Sequence, residues 1–233
     1  SASYRKDINP TATLYRYNSN TGVYESKPMN VKGGDEWKFG FNYDQGLGVY
    51  FRIMNKFALS KSQSYGFLTI VDNADPQAKP DLNHQRLLGV NENLELTYET
   101  EKLSLTLFND LTLNRYRYDD ASYNSRPIYN SAGISARIKL SPIEFWVRLA
   151  DDFRSGYQTS EMNGHKLMSN ASINYSFCKN KCRLALWVDD IFNKDIYYDS
   201  EYSAYQRVEN SANYLHHYMN LTFTYRFDAK SKK

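Results

Sequence analysis

Apolar and polar residues alternate along most of this chain with a period of two. That is the pattern of half-covered strands, because successive strand side chains point to opposite faces. Trp37, Phe39, Phe41 and Tyr43 alternate with Lys38, Gly40 and Asn42, and after Asp44-Gln45-Gly46 the pattern resumes at Leu47, Val49, Phe51, Ile53, Phe57 and Leu59. A three-residue turn ending in glycine is a favoured hairpin connection and sets Tyr43 against Leu47. Leu94, Leu96 and Tyr98 lead through Thr100-Glu101 into Leu103, Leu105, Leu107, Leu111 and Leu113, a spacing that predicts Tyr98 opposite Leu103 and Glu99 opposite Lys102. Ala132, Ile134, Ala136, Ile138 and Leu140 meet Ile143, Phe145, Val147 and Leu149 around Ser141-Pro142. That register faces Lys139 with Glu144, a favourable cross-strand charge pair. Ala171, Ile173, Tyr175 and Phe177 turn at Lys179-Asn180 into Leu184, Leu186 and Val188. The closing strand carries Met219, Leu221, Phe223, Tyr225 and Phe227 on one face and Asn220, Thr222, Thr224 and Arg226 on the other. Two further strands are expected at Thr11–Tyr17 and Val23–Met29, which brings the total to about eleven.

The connections fall into two classes that alternate. Those at 44–46, 100–101, 141–142 and 179–180 are tight; those at 60–84, 118–126, 155–164 and 191–214 are long, polar and rich in Asn, Ser, Asp and Tyr. Short periplasmic turns opposite long extracellular loops are the habit of outer-membrane barrels, whereas a soluble sandwich has no reason to sort its loops. The polar faces agree, since Arg137, Lys139, Glu144, Arg148, Arg183, Asp189, Asn220 and Arg226 share one side. Burying them in a sandwich core is costly; facing a wet lumen, they cost little. The expected fold is therefore all-β, an antiparallel transmembrane β-barrel with about 10–12 strands in this chain, between about residues 11 and 227. Bacterial single-chain barrels have even strand numbers, so a count near eleven suggests half of a barrel of about 22 strands. Residues 228–233 read as a basic periplasmic tail.

Composition narrows the function more than the fold. The 233 residues carry a net charge of +3, too balanced for a nucleic-acid partner, and no basic run is interleaved with aromatics. Mean hydropathy is −0.69, and no apolar run approaches the roughly 20 residues a spanning helix needs. Lumen-facing residues dilute barrel strands, so that average says nothing against a barrel. Tyrosine dominates the aromatics, 21 residues against 3 tryptophans, and suits surfaces greasy at one end and wet at the other. Ser1-Ala2-Ser3-Tyr4 reads as a mature or processed start rather than a signal peptide. Cys178 and Cys182 flank a turn and lie close enough to form a disulfide or to stay as thiols, and no second pair of ligands nearby makes a metal site of them.

Two segments resemble a known family. Leu186-Trp187-Val188-Asp189-Asp190-Ile191-Phe192-Asn193-Lys194-Asp195-Ile196-Tyr197-Tyr198 is similar to the penultimate-strand motif of TonB-dependent outer-membrane receptors, and Tyr218 to Phe227 resembles their closing strand with its terminal Tyr-Arg-Phe. Pro28 to Gly33, followed by Trp37 to Tyr43, is similar to barrel segments of Bacteroidota members. The resemblance implies the carboxyl-terminal barrel of an importer in a Gram-negative outer membrane, taking up a scarce nutrient such as a siderophore, glycan, cobalamin or peptide. It implies as partners membrane lipid, the barrel-assembly machinery, a TonB-type energy-coupling complex acting through a plug domain, and a surface lipoprotein. No plug or energy-coupling box is legible in the chain. The alternative is a small stand-alone barrel, a pore or adhesin.

Loop tyrosines are the candidate ligand surface: Tyr118 and Tyr123 (beside Tyr116), Tyr157, and Tyr197, Tyr198, Tyr202 and Tyr205 with Arg207. Aromatic faces with hydrogen-bonding tips suit sugars, peptides or siderophore-like ligands, and the same residues serve equally as a head-group girdle or as loop packing. Asp151-Asp152, Asp189-Asp190 and His216-His217 near the long loops resemble the acid–histidine rim of omptin-type proteases, a less favoured reading. No catalytic motif appears, so no enzyme, cofactor or metal is expected. His84 and His165 are expected to be solvated in loops.

Overall fold

The computed structural model describes residues 1–67, 71–72, 80–193, 197–203, 206–212 and 217–227. The strands are β1 (Ala2–Lys6), β2 (Thr11–Asn18), β3 (Val23–Asn30), β4 (Asp35–Leu47), β5 (Phe51–Phe67), β6 (Val71–Asp72), β7 (Leu82–Glu99) and β8 (Leu103–Tyr118). They continue as β9 (Ile128–Leu140), β10 (Ile143–Ser155), β11 (Gly164–Phe177), β12 (Cys182–Asp189), β13 (Tyr197–Tyr202), β14 (Arg207–Ala212) and β15 (Tyr218–Tyr225). Beyond strands there are single 3₁₀ turns at Ala121–Tyr123 and Ser160–Met162. The fold is all-β, and no helix among the described residues is long and apolar enough to cross a membrane.

One sheet of ten strands, ordered β1-β4-β5-β7-β8-β9-β10-β11-β12-β15, forms the body of the molecule, every pairing antiparallel. From β4 onward it is an up-and-down meander of the nine strands read from the alternation. The sheet is open: β1 and β15 occupy its two edges, and no pairing joins them among the described residues. β2 and β3 pair as expected but leave the wall, forming a small sheet with β6. Leu14, Val31 and Phe67 make a core there, backed by Ala12, Met29 and Tyr65. β1 takes an edge place that the alternation did not announce, so the wall has ten strands instead of eleven.

Two turns sit elsewhere than expected. The first is Gly48-Val49-Tyr50, because Leu47 pairs with Phe51 and Tyr43 with Asn55. Gly48 supplies the left-handed φ of +70° that the turn needs, while Asp44 and Gln45 stay in the strand and Asp44 accepts a two-pronged ion pair from Arg52, 2.7 and 2.5 Å. The second turn is Glu101-Lys102 rather than Thr100-Glu101. Thr100 N–H donates to the Leu103 carbonyl, 2.7 Å, and Leu103 N–H to Thr100 Oγ1, 3.0 Å. Glu99 therefore faces Ser104, not Lys102. Around Ser141-Pro142 the expected register holds, with Lys139 across from Glu144. The last turn spans Cys178–Lys181, and Cys178, Lys179 and Asn180 all have positive φ. Cys178 and Cys182 are thiols in this structure, not a disulfide.

Parts of the connections expected to be long loops are strand. β5 runs on to Phe67 and β7 starts at Leu82, so much of 60–84 is strand. His84 is accordingly buried in β7, stacked on Tyr65 at 4.4 Å and 3.0 Å from Gln63 Oε1. His165 opens β11 and lies exposed, 2.8 Å from Asp151 Oδ2. Residues 191–214 contain the hairpin β13–β14. The tail 228–233 lies outside the described residues.

Register sorts the side chains onto two walls. On one stand Leu105, Leu107, Ile134, Ile138, Phe145, Val147, Ile173, Leu186, Leu221 and Phe223, mutually paired across the strands. This apolar wall is uncovered: Leu107, on β8 deep inside the sheet, is 52% exposed and Ile134 beside it 40%. Met219, Leu221, Phe223, Tyr225 and Phe227 are exposed as well, helped by the edge position of β15. The opposite wall carries the expected charges, Arg137, Lys139, Glu144, Arg148, Arg183 and Asp189. Aromatics collect where the apolar wall meets the tight turns, with Phe51 packed on Tyr98 at 5.0 Å, Tyr175 on Phe177 at 5.3 Å and Tyr225 on Phe227 at 4.5 Å.

Candidate functional site

The polar-wall residues at the long-loop ends of β7 to β11 converge with the β13–β14 hairpin into one aromatic cap. Tyr116 and Tyr118 alternate with outward Arg115 and Arg117 near the end of β8. Tyr202, reaching in from β13, stacks on Tyr116 with ring centres 4.5 Å apart and planes 14° from parallel. Tyr118 is buried; its hydroxyl accepts from Gln85 Nε2 at 2.8 Å and donates to the Ser203 carbonyl at 3.1 Å.

Glu209 on β14 holds the hairpin down. Its carboxylate accepts from the amides of Gln158 (3.2 Å) and Thr159 (2.7 Å) in the β10–β11 loop, and from the Tyr202 hydroxyl at 2.9 Å. Burial acts to raise the Glu209 pKa, but these donors outweigh it and hold the carboxyl below its usual range. Burial, then the hydrogen bond to Glu209 and its charge, push the Tyr202 hydroxyl far above the ordinary tyrosine value. For Tyr157 burial again dominates and raises the hydroxyl, with Arg154 and a hydrogen bond to Ser200 pulling the other way.

Beside the cap lies a cavity of about 350 Å³ lined by Asp152, Arg154, Glu161, His165, Lys166 and Tyr198, among others. The Lys166 ammonium sits 3.5 Å from the centre of the buried Tyr198 ring, and the Arg154 guanidinium lies 5.3 Å from Tyr198 and 5.2 Å from Tyr129. Tyr129 donates its hydroxyl to Asp152 Oδ2 at 3.2 Å. Among the described residues, the buried Arg154 Nε has no hydrogen-bond partner. The arrangement offers groups suited to recognition: aromatic faces, two cations and a buried guanidinium donor.

The structure brings together most of the tyrosines singled out from the sequence, but largely against one another. Tyr118, Tyr157, Tyr198 and Tyr202 are packed into the cap, and the Arg207 guanidinium lies 6.0 Å from the Tyr202 ring. Tyr123 meets Tyr118 edge-on at 6.2 Å and remains 43% exposed. Tyr197 belongs to β13 with its side chain outside the description, and Tyr205 lies outside the described residues, as do Lys194, Asp195, Ile196 and His216. Arg154, Lys166, Tyr129 and Glu209 were not singled out; only the even or odd placement of the first three on the polar wall hinted at them. Among the described residues the acidic pairs engage different partners. Asp152 engages Tyr129, the Asp190 carbonyl engages His217 Nδ1 at 2.8 Å, and Asp151 faces His165 from the apolar wall. Among the described residues no three His, Cys, Asp or Glu side chains group as metal ligands. Compared with known protein families, curated proteins and solved structures, the chain matches none.

Proposed function

We propose that this chain is a wall of an outer-membrane β-barrel of the TonB-dependent receptor kind, importing a scarce nutrient past loops that first bind it. One observation carries the reading: a ten-stranded sheet with a continuous apolar wall left uncovered and its charges on the other wall. Water gives no home to such a surface, since exposed apolar patches beyond a few hundred Å² are rare on soluble monomers. Lipid does, and it leaves the charged wall facing an aqueous lumen. Both sheet edges need pairing in lipid, because an unpaired backbone group there costs several kcal/mol. In this reading β1 and β15 therefore meet further strands or each other. The aromatic cap and its cavity, at the end that carries the long loops, form the outward ligand surface. The carriers of force would be a plug and a TonB-type complex; the barrel-assembly machinery and a surface lipoprotein are the remaining partners proposed.

Refolding the chain with lipid vesicles tests the reading. The protein should float with the vesicles in a density gradient and resist protease except at its loops. A folded monomer that remains in detergent-free buffer with its apolar wall covered contradicts it. In the gene, a plug and coupling box upstream of Ser1 support the receptor; a signal peptide directly there supports the stand-alone barrel.

A further inference from the structure

The polar wall holds a feature that neither strand pairing nor loop docking uses. Trp146 on β10 and Trp187 on β12 both point from this wall and flank Ser172 of the intervening β11 in a single row. Over that small residue their rings meet, 5.1 Å between centres and 19° from parallel. They form a partly exposed indole platform among neighbours that are mostly Ser, Asn, Thr and charged residues. Arg137 and Asn220 flank them in the same row. A cavity of about 450 Å³ lies over the platform, and one of about 590 Å³ continues toward the tight turns; the two share Glu144, Asn174 and Arg183. Together they are lined by five cations, Arg137, Lys139, Lys181, Arg183 and Arg226, against the single carboxylate of Glu144. Glu144 lies 3.9 Å from Arg137, and Asn174 Oδ1 accepts from Arg183 at 3.2 and 2.7 Å, which fixes that guanidinium beside the platform.

We infer that this groove binds an acidic saccharide, a sugar chain bearing carboxylate or sulfate groups. A pyranose ring has an apolar C–H face that lies flat on an indole, and hydroxyls around its rim that need hydrogen-bonding neighbours such as Ser172, Asn174 and Asn220. The surplus of guanidinium and ammonium groups selects the charged members, since arginine can donate two parallel N–H bonds to a pair of oxygens on a carboxylate or other oxyanion. The inference rests on the reading of this wall as water-facing and adds to it a ligand class and a second site, separate from the loop cap.

The test is a binding titration on the full chain already shown to insert into vesicles, so that a failure of membrane insertion is seen before any sugar is added. The probes are a uronate oligosaccharide, a neutral oligosaccharide of equal length, and an aromatic acid such as dihydroxybenzoate. The expected result is saturable, salt-sensitive heat release with the uronate, at least tenfold tighter than with either other probe. Trp187→Ala or Arg183→Gln should weaken uronate binding tenfold or more. Trp187→Phe, which keeps a ring and guards against misfolding, should retain most of it. No saturable binding of the uronate overturns the inference, as does equal binding of the neutral sugar, preference for the aromatic acid, or an unchanged affinity in Trp187→Ala.

Discussion

At the scale of single residues, polar groups stand at several places where register alone would put apolar ones, and two of them pair with each other. Asn55 and Glu92 lie on the apolar wall among Ile53, Phe57, Leu94 and Val90, and Asn55 Nδ2 donates to Glu92 Oε1 at 2.9 Å. On the proposed lipid-facing wall each gives the other a hydrogen-bond partner. Asn55→Leu alone should lower stability in vesicles by about 1–3 kcal/mol, the cost of leaving a polar group unpaired. The double change Asn55→Leu with Glu92→Leu should restore most of it, and denaturant unfolding of the two proteins side by side reads the difference. Glu209 gives a residue-scale effect of another kind. Its pKa is depressed on folding, so its contribution is complete above the ordinary value of 4.5 and is lost as pH falls through the lower folded value. Tyr202 is raised, so its contribution is complete below the ordinary value of 10.0 and is lost as pH rises through the folded value. The β13–β14 hairpin should stay docked between those limits, and proteolysis within 197–212 should accelerate in acid. Glu209→Gln should reproduce that acceleration at neutral pH, with a loss on the order of 1–2 kcal/mol once solvent screening is allowed for.

Elements show why part of the fold was legible. Period-two alternation is a local property, so the two walls could be read from nine strands without any knowledge of their partners. The misplaced turns did not disturb this. Tyr43 pairs with Asn55 instead of Leu47, and Tyr98 with Leu105 instead of Leu103, shifts of even size that leave every side chain on its own wall. Local hydrogen bonds of Thr100 and the backbone freedom of Gly48, neither of which changes hydrophobic pattern, chose the actual turns. By contrast, β1, the departure of β2–β3 and the docking of β13–β14 depend on partners far along the chain. Glu209 grips amides some 50 residues away, and no periodicity announces such a contact. One glycine also has an element-scale role. Gly133 stands opposite Phe108, whose ring lies across it under the Arg148 guanidinium, 3.8 Å away. A methyl there would run into the Leu149 carbonyl and the Phe108 ring. Gly133→Ala should therefore cost about 1–3 kcal/mol through overpacking of the β8–β10 region, measurable as a lower unfolding midpoint.

For the whole molecule, the account rests on which medium each wall meets. The proposed membrane setting gives an open ten-stranded sheet a medium for each side, lipid for its bare Leu, Ile, Val and Phe and water for its charges. The aromatic cap, the tryptophan platform and the basic turn end form a succession of surfaces down the charged wall, the one proposed to face water. Site-directed labelling tests this most directly. In a background with Cys178→Ser and Cys182→Ser, single cysteines would be introduced by Leu105→Cys, Thr106→Cys, Leu107→Cys, Ile134→Cys and Ser135→Cys, and each labelled protein placed in vesicles. A lipid-dissolved quencher should reach the labels at 105, 107 and 134, and a water-soluble one those at 106 and 135, in strict alternation. Equal access of the water-soluble quencher to both sets would contradict the membrane wall.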